Sequence, residues 1–236
     1  MGKTVVIAGV GPGLGAALAR RFAVEGCELA LFARSSDYIG ELAAELEAGP
    51  GRAIAIPVDV ADPAAVTAAF EEVHERLGPV SVLVNNASDS VWKGVHDVTP
   101  AEFEAAWRVA AVGGLLCSQA VIPDMLEAGE GTIIFTGATS SIRGKEGAIA
   151  FSAAKFAVRG MAESMARELG PVGIHVAHVV IDGQIRDPSV SDADVEGDPY
   201  QYLEPESIAN SYWHLIEQEK DSWTLELDVR PHVERF

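Results

Sequence analysis

The chain of 236 residues contains little cysteine. Its two cysteines, Cys27 and Cys117, lie far apart, with no CxxC pair and no histidine at the spacing of a metal ligand. This scarcity excludes a disulfide framework and predicts free thiols in segments that read as buried. No metal is expected.

Cations are also scarce. The chain has 17 lysines and arginines against 35 aspartates and glutamates, which gives a formal net charge of −18. Nucleic acids and anionic membranes bind clustered cations, so neither is expected as a partner. A small nucleotide is compatible with this charge, because backbone amides and one or two local cations can bind its phosphates.

Long hydrophobic runs are lacking as well. The first apolar segment begins at Thr4 without a charged region and cleavage site before it, and no apolar run approaches the roughly 20 residues that a membrane helix needs. These absences predict a soluble, cytoplasmic protein. Its hydrophobic content of 48% suffices for one large core, and we expect a single domain over 1–236.

Short apolar segments rich in β-forming residues alternate with longer helical patterns along most of the chain. The predicted strands are Val5–Ala8, Glu28–Ala33, Ala53–Val58, Val80–Val84, Thr132–Phe135, His175–Val180 and Trp223–Val229. The predicted helices are 14–25, 38–48, 63–77, 100–128, 151–169 and Glu206–Gln218. Continuously apolar strands are typical of sheets buried on both faces, and repeated strand–helix units predict a parallel sheet covered by helices. The acidic segment 186–204 has no regular period and predicts a long loop on the substrate side.

A glycine-rich turn joins the first strand to the first helix. It reads Gly9-Val-Gly11-Pro-Gly13-Leu14-Gly15. Glycines at this spacing permit a tight turn and let the backbone approach a pyrophosphate, while the helix N-terminus faces the phosphates. The turn therefore predicts a dinucleotide-binding site that uses these residues.

The end of the second strand bears on which dinucleotide binds. NAD sites commonly place a carboxylate here against the ribose 2′-hydroxyl, whereas this chain has Arg34 and Ser35. Arg34 is suited to bind a 2′-phosphate, and Ser35 can add a hydrogen bond. NADP(H) is therefore favoured, and the nearby Asp37 keeps NAD(H) as the alternative.

Two further motifs follow the next strands. Asp59-Val60 follows the third strand, and Asn85-Asn86-Ala87-Ser88 follows the fourth. In order and spacing, the glycine turn and these motifs resemble the short-chain dehydrogenase/reductase family over essentially the whole chain. The resemblance implies a Rossmann-type, doubly wound α/β fold with a parallel sheet of about seven strands and an NAD(P)-dependent oxidoreductase activity. It implies cofactor contacts for Asp59, Val60, Asn86, Ala87, Lys155, Gly183 and Ile185.

The resemblance also shows where this chain departs from the family. The family's catalytic apparatus is a tetrad of asparagine, serine, tyrosine and lysine, and Lys155 stands at the lysine position. Phe151 stands at the tyrosine, Ala138 at the serine and Ala110 at the asparagine. Phenylalanine cannot hold or donate a proton, so the family's usual proton route is expected to be absent.

Few residues can substitute for the missing groups. A shift of two or three positions places Ser140 or Ser141 at the serine position, but no tyrosine lies between Tyr38 and Tyr200. Lys155 can transfer the proton itself, because burial would depress its pKa, or it can serve only to hold the ribose. The two roles stay open at this point.

Other candidate side chains lie near the same edge of the predicted sheet. Trp92 and His96 follow the asparagine motif, and His96 has a pKa suited to acid–base work, although a loop histidine is more often a solvated group. Arg143 and Lys145 lie on the other wall, where they either hold an anionic substrate or are simply solvated.

Three functions fit these observations. The first is an oxidoreductase that transfers its proton by another route and acts on an unknown small carbonyl compound, alcohol or activated alkene. The second is a cofactor-binding sensor or regulatory partner without turnover, and the third is a cyclase, dehydratase or isomerase in the same pocket.

The resemblance also implies a homodimer or homotetramer that packs through the helices over 100–128 and 151–169, although an internal core stripe explains part of their apolar pattern.

Overall fold

The computed structural model describes residues 2–190 and 201–233, and most of its strands form one parallel sheet. The strands are β1 Thr4–Ala8, β2 Glu28–Ala33, β3 Ala53–Pro57, β4 Val82–Asn85, β5 Gly131–Thr136, β6 Ile174–Ile181, β7 Gln184–Ile185, β8 Tyr202–Leu203 and β9 Glu226–Val229. Seven of them lie in the order β3-β2-β1-β4-β5-β6-β9, and every neighbouring pair is parallel. The predicted parallel sheet is confirmed.

Helices cover both faces of this sheet. They are α1 Leu14–Val24, α2 Ser36–Leu46, α3 Pro63–Leu77, α4 Pro100–Trp107, α5 Gly113–Ala128, α6 Ile149–Leu169 and α7 Pro205–Ile216. A π-helical turn over Arg108–Val112 joins α4 to α5, so that 100–128 run as one helix. Helices α1, α2 and α7 contribute to the core on one face, while α3, α5 and α6 contribute to the core on the other.

The apolar strands are explained by this two-sided packing. In β1, the side chains of Val5 and Ile7 belong to one core and those of Val6 and Ala8 to the other. All four residues are at most 1% exposed. Because successive side chains of a strand point to opposite faces, burial on both sides requires apolar residues at every position.

Two helices begin at side-chain caps. The Asp62 carboxylate accepts hydrogen bonds from the backbone amides of Ala64 and Ala65 at the start of α3. At the start of α4, Thr99 and Glu102 form a reciprocal capping box. Each cap satisfies amides that the helix itself leaves without a partner.

The predicted loop over 186–204 needs a correction at its C-terminal end. Residues 191–200 lie outside the described part of the chain, but β8 pairs in parallel with β7 and so places 202–203 in a strand. The Arg186 amide donates to the Leu203 carbonyl at 2.9 Å, and the Arg186 side chain pairs with Glu204 at 3.0 Å. A two-residue strand is too short to show a periodic pattern.

The helix over 100–128 is the one helix in the described part of the chain that is long and apolar enough to cross a membrane by length and composition. Its α4 segment packs against α6, and its α5 segment packs against α3, β4 and β5. Packing in the core therefore accounts for part of its apolar character.

Both cysteines are free and buried, as the sequence predicts. Burial raises the pKa of the Cys27 thiol to about 11 and that of the Cys117 thiol to about 12. Neither thiol is therefore a reactive thiolate near neutral pH.

Candidate functional site

Two adjoining cavities open at the carboxyl ends of the parallel strands. The first, which we call the turn cavity, has a volume of about 420 Å³ and lies beside the glycine turn. The second, the lysine cavity, has a volume of about 1180 Å³ and contains Lys155. Asn86 and Ser88 line both cavities, which therefore lie side by side.

Most of the predicted site residues line one of these cavities. Those that line the turn cavity are Gly9, Gly11, Arg34, Ser35, Asp59, Val60, Asn86 and Ala87. Those that line the lysine cavity are Leu14, Asn86, Ala138, Ser140, Phe151, Lys155, Gly183 and Ile185. Among the residues expected to contact the cofactor, to stand at tetrad positions or to substitute for the serine, four line neither cavity: Gly13, Gly15, Ala110 and Ser141.

Gly9 and Gly15 serve the packing of the glycine turn. Gly9 has a φ of 103°, which side-chain-bearing residues rarely adopt, and a Cβ atom there would overlap the backbone of Ala87. A Cβ atom on Gly15 would lie 2.7 Å from the Cα atom of Val10. The Asn86 side chain fixes the same turn, since its Nδ2 donates to the Gly9 carbonyl at 2.7 Å.

Gly11 and Gly13 have a different role. A Cβ atom on either would meet nothing within 4 Å, so these glycines leave open space. Gly13 caps α1 without a side-chain hydrogen bond, and the first turn of that helix carries no acidic residue. Open space and helix amides without a side-chain cap fit the phosphates of a dinucleotide, which bind to backbone N–H groups at a helix N-terminus.

The far end of the turn cavity has a cationic group at the position that contacts the adenosine ribose in dinucleotide sites. Arg34 is exposed and lines the cavity together with Ser35, whereas Asp37 does not line it. The Asp37 carboxylate instead accepts a hydrogen bond from the Ser36 hydroxyl at 3.2 Å. Asp59 contributes to a local turn, because its carboxylate accepts from the Ala61 amide at 3.0 Å.

Lys155 lies in the wall of the lysine cavity, one turn of α6 after Phe151. The side chain is buried, and its Nζ atom donates a hydrogen bond to the Thr136 carbonyl at the end of β5, at 2.8 Å. Among the described residues it forms no ion pair. Burial without a counter-ion lowers the pKa of Lys155 to about 8, because desolvation disfavours the ammonium form.

An aromatic pair stands beside this lysine. The Lys155 Nζ atom lies 5.5 Å from the centroid of the Phe151 ring, and the Phe151 ring lies 5.2 Å from that of Trp92. On the outer side, the Nζ atom of Lys145 lies 5.6 Å from the Trp92 ring. The group nearest to Lys155 in this direction is therefore an apolar ring without a proton to transfer.

The candidate serines differ in position. Ser140 lines the lysine cavity, although it is only 2% exposed. Ser141 is fully buried, and its Oγ atom accepts a hydrogen bond from the Ala138 amide at 3.0 Å. Ala110 is buried in the π-helical turn between α4 and α5. The substitute roles of the serines stay predictions.

A buried carboxylate near the lysine cavity was missed as a functional feature by sequence reasoning. Asp182, at the end of β6, is 2% exposed and accepts hydrogen bonds from the Thr139 hydroxyl at 2.7 Å and from Arg143 Nη2 at 3.1 Å. Arg230, which follows β9, lies 3.6 Å away. The available signal was an aspartate directly after eight buried strand residues, because buried carboxylates require partners.

The loop after β4 contributes fewer side chains to the cavities than the sequence suggested. His96 is exposed and does not line either cavity. Lys93 pairs with Glu102 at 2.6 Å, and this pairing together with the Thr99 hydrogen bonds lowers the pKa of Glu102 to about 2. Of the candidates in this loop, Trp92 reaches the lysine cavity.

The fold and these cavities define a class of protein. A doubly wound parallel sheet, a glycine turn that enters the first helix, and a cleft outside the carboxyl ends of the strands are the features of Rossmann-type dinucleotide-binding proteins.

Comparison with known proteins identifies the family within this class. The sequence profile of the short chain dehydrogenase family matches residues 3–187. The chain belongs to the short-chain dehydrogenase/reductase family of oxidoreductases, as the motifs indicated.

Two relatives show how similar the sequence of this chain is to named members of the family. The chain is 36% identical to meso-2,3-butanediol dehydrogenase of Serratia marcescens over 177 residues, which cover 75% of this chain and 69% of the relative. It is 37% identical to D-xylose 1-dehydrogenase of Caulobacter vibrioides over 179 residues, which cover 76% and 71%.

Two solved structures are similar to the structure of this protein over almost the whole chain. A short-chain dehydrogenase from Rhodopseudomonas palustris has 35% identity and a TM-score of 0.84, with 98% of this chain and 99% of the other covered. An alcohol dehydrogenase from Thermococcus sibiricus, solved with 5-hydroxy-NADP, has 26% identity and a TM-score of 0.88, with 100% and 99% covered.

Proposed function

We propose that this protein is an NADP(H)-dependent oxidoreductase that acts on a small carbonyl compound or alcohol and moves the proton through Lys155. The observation that carries the proposal is the environment of the Lys155 amine. It is buried in the lysine cavity, 2.8 Å from the Thr136 carbonyl, and the ring beside it belongs to Phe151. Of these groups, only the lysine can hold a transferable proton.

The preference for NADP(H) rests on Arg34 and Ser35. Both line the turn cavity, and a guanidinium is suited to bind a phosphate on the ribose. The related enzyme from Thermococcus sibiricus was solved with 5-hydroxy-NADP, and a metagenomic oxidoreductase of 28% identity was solved with NADP. When bound, the nicotinamide group supplies or accepts the hydride. NAD(H) is the alternative cofactor.

Lys155 is suited to transfer the proton. With a pKa lowered to about 8, its ammonium form is still populated at neutral pH but releases a proton more readily than a solvated lysine. In carbonyl reduction, the Nζ atom gives a proton to the substrate oxygen, and the neutral amine is reprotonated from bulk solvent after the product leaves. The hydrogen bond to Thr136 fixes the position of the amine.

A second function is favoured by the contact between Phe151 and Trp92. These rings pack at 5.2 Å and place an apolar surface where the family resemblance implies a tyrosine hydroxyl. A protein of this kind can bind the cofactor as a sensor or regulatory partner without turning it over. The two functions predict different effects of a restored tyrosine.

The deciding experiment measures NADPH oxidation with a panel of aldehydes and ketones, using wild type, Lys155→Met and Phe151→Tyr. We expect wild-type turnover, a loss of roughly 10² to 10⁴ in kcat for Lys155→Met at saturating NADPH, and retained activity in Phe151→Tyr. The wild-type rate of reduction should fall above about pH 8 as Lys155 loses its proton. An inactive wild type that binds NADPH and becomes active as Phe151→Tyr would refute the lysine route and favour the sensor.

A further inference from the structure

Asp182 is a buried acidic residue that the proposed mechanism does not use. Among the residues that the structure describes, it is the only buried aspartate or glutamate, at 2% exposure. Burial of a carboxylate is costly unless cations and hydrogen-bond donors surround it. The partners of Asp182 therefore identify what its side chain holds together.

The carboxylate of Asp182 binds side chains from two other segments. Its Oδ1 atom accepts hydrogen bonds from the Thr139 hydroxyl at 2.7 Å and from Arg143 Nη2 at 3.1 Å. Its Oδ2 atom lies 3.6 Å from Nη1 of Arg230. Thr139 and Arg143 belong to the segment between β5 and α6, while Arg230 directly follows β9. One buried carboxylate thus joins the end of β6 to two segments that are distant in the sequence.

The segment after β9 also packs directly against the residue that follows Asp182. The Asp182 amide donates to the Val229 carbonyl at 2.9 Å, and Pro231 is buried. A Cβ atom on Gly183 would lie 2.7 Å from Cδ of Pro231. The segment 229–231 therefore supports Gly183 by direct contact.

Two of the three joined segments form a wall of the lysine cavity. Thr139 and Arg143 line the cavity from the segment after β5, and Gly183 and Ile185 line it from the segment after β6. Asp182 itself does not line the cavity. Any effect of Asp182 on a ligand in the cavity therefore acts through its neighbours.

This wall lies where the second end of a dinucleotide would extend. Under the proposed function, the adenosine end occupies the turn cavity and the phosphates lie at the start of α1. Leu14, the first residue of α1, lines the lysine cavity. The nicotinamide end of the cofactor would therefore continue past Leu14 into the lysine cavity.

We propose that Asp182 is a positioning residue for the nicotinamide end of the cofactor. Its carboxylate orders the wall of the lysine cavity by joining the segments after β5, β6 and β9, so that the nicotinamide group meets a wall that is already fixed. This inference rests on the proposed function for the cofactor, but not for the ordering of the wall.

The first test compares NADPH with 2′-phospho-ADP-ribose, which has the same adenosine and phosphate groups but lacks nicotinamide. Isothermal titration calorimetry on the full chain measures both affinities in wild type and in Asp182→Asn. Asparagine keeps an acceptor for Thr139 but removes the charge that holds Arg143 and Arg230.

We expect wild type to bind NADPH at least about tenfold more tightly than the fragment, and Asp182→Asn to reduce this preference at least about fivefold. The affinity for the fragment should change by less than about twofold, because the turn cavity is remote from Asp182. A wild type without this preference, or an unchanged preference in Asp182→Asn, would overturn the proposal.

Hydrogen exchange of the unliganded protein tests the ordering of the wall without the cofactor. We expect the amides of 139–148, 183–186 and 229–233 to exchange at least about fivefold faster in Asp182→Asn, and those of 9–17 to be unchanged. Equal rates in both proteins would overturn the proposal. Failure of wild type to bind either nucleotide would contradict the proposed function and the cofactor contact together, whereas faster exchange would still assign the ordering of the wall to Asp182.

Asp124→Asn is the matched control. The Asp124 carboxylate in α5 accepts from the Val80 amide at 2.9 Å and pairs with His74 at 2.6 Å, so it also joins separate segments. It lies at the amino end of β4, away from both cavities. The preference for NADPH should be unchanged in Asp124→Asn, and an equal loss there would show that general loosening of the fold explains the result.

Arg230→Gln decides the question if Asp182→Asn does not fold. This variant keeps the Asp182 carboxylate and removes one of its cations from outside the cavity. We expect the preference for NADPH to fall about twofold and the amides of 229–233 to exchange faster. No change in either measurement would overturn the proposal.

Discussion

Burial of the Lys155 ammonium lowers the free energy of unfolding of the chain. Its pKa in the folded chain is about 8, below the ordinary value of 10.5. Because the folded pKa is the lower one, the cost of the buried ammonium is fully present below about pH 8 and disappears as the pH rises from 8 to 10.5. A difference of this size corresponds to about 3 kcal/mol at neutral pH.

Replacement of Lys155 by methionine should therefore stabilise the protein. We expect Lys155→Met to raise the free energy of unfolding by about 1 to 3 kcal/mol at pH 7, because the unpaired buried charge is removed. The gain should shrink toward pH 10, where the wild-type lysine folds uncharged. Urea unfolding at both pH values measures it.

The matched control is Lys93→Met at an exposed, paired lysine. Its stability should change by less than about 0.5 kcal/mol without that pH trend. A Lys155→Met protein that is less stable than wild type at pH 7 would show that the buried ammonium is not a net cost.

At the scale of elements, the sequence predicted those features that depend on neighbouring residues. The strands from β1 to β6 were recognisable because burial on both faces makes them continuously apolar, and α3 was recognisable from the Asp62-Pro63 cap. The predicted fourth strand began at Val80, whereas β4 begins at Val82. The sequence marks the first residue of a strand poorly when the apolar pattern already begins in the preceding turn.

Features made by distant segments could not be predicted in the same way. The Asp182 cluster joins the end of β6 to Thr139 and Arg143, which lie 43 and 39 residues earlier in the chain. The β7–β8 pair likewise brings Gln184 beside Tyr202. No local pattern encodes such contacts. The glycine turn, the asparagine motif and Lys155 could be located because each follows or opens a predicted element.

The glycine turn gives an element-scale prediction. Gly9→Ala should destabilise the protein by about 2 to 4 kcal/mol, because the positive φ and the backbone of Ala87 leave no room for a methyl group. Gly11→Ala should change stability by less than about 0.5 kcal/mol, since its Cβ atom meets open space, yet weaken NADPH binding at least about tenfold. Chemical denaturation and NADPH titration check both. Unchanged NADPH affinity in Gly11→Ala would place the phosphates elsewhere.

At the scale of the whole molecule, several large apolar side chains stay exposed along α4, α5 and α6. They are Phe103 at 38%, Trp107 at 42%, Leu115 at 41% and Phe156 at 44% exposure. Because contiguous exposed apolar surface commonly marks an interface, we propose that this face mediates a homodimer or homotetramer.

A charge placed on this face should disrupt the assembly. We expect Phe156→Asp to raise the dissociation constant of the oligomer by about 10² or more, since buried aromatic anchors dominate interface energies. Val24→Asp is the control, because Val24 is 75% exposed at the end of α1. Sedimentation velocity gives the answer. A wild type that stays monomeric at micromolar concentration, or equal dissociation in Val24→Asp, would exclude this interface.

At the scale of the whole molecule, the proposed function combines a nucleotide site with an altered proton route, and its central claim is that NADP(H) binds. Fluorescence titration of wild type with NADPH and NADH tests this claim most directly, together with Arg34→Ala. We predict saturable NADPH binding with a Kd of about 1 to 100 μM, NADH binding at least about tenfold weaker, and loss of this preference in Arg34→Ala. Absence of saturable binding of either nucleotide up to about 1 mM would contradict the account.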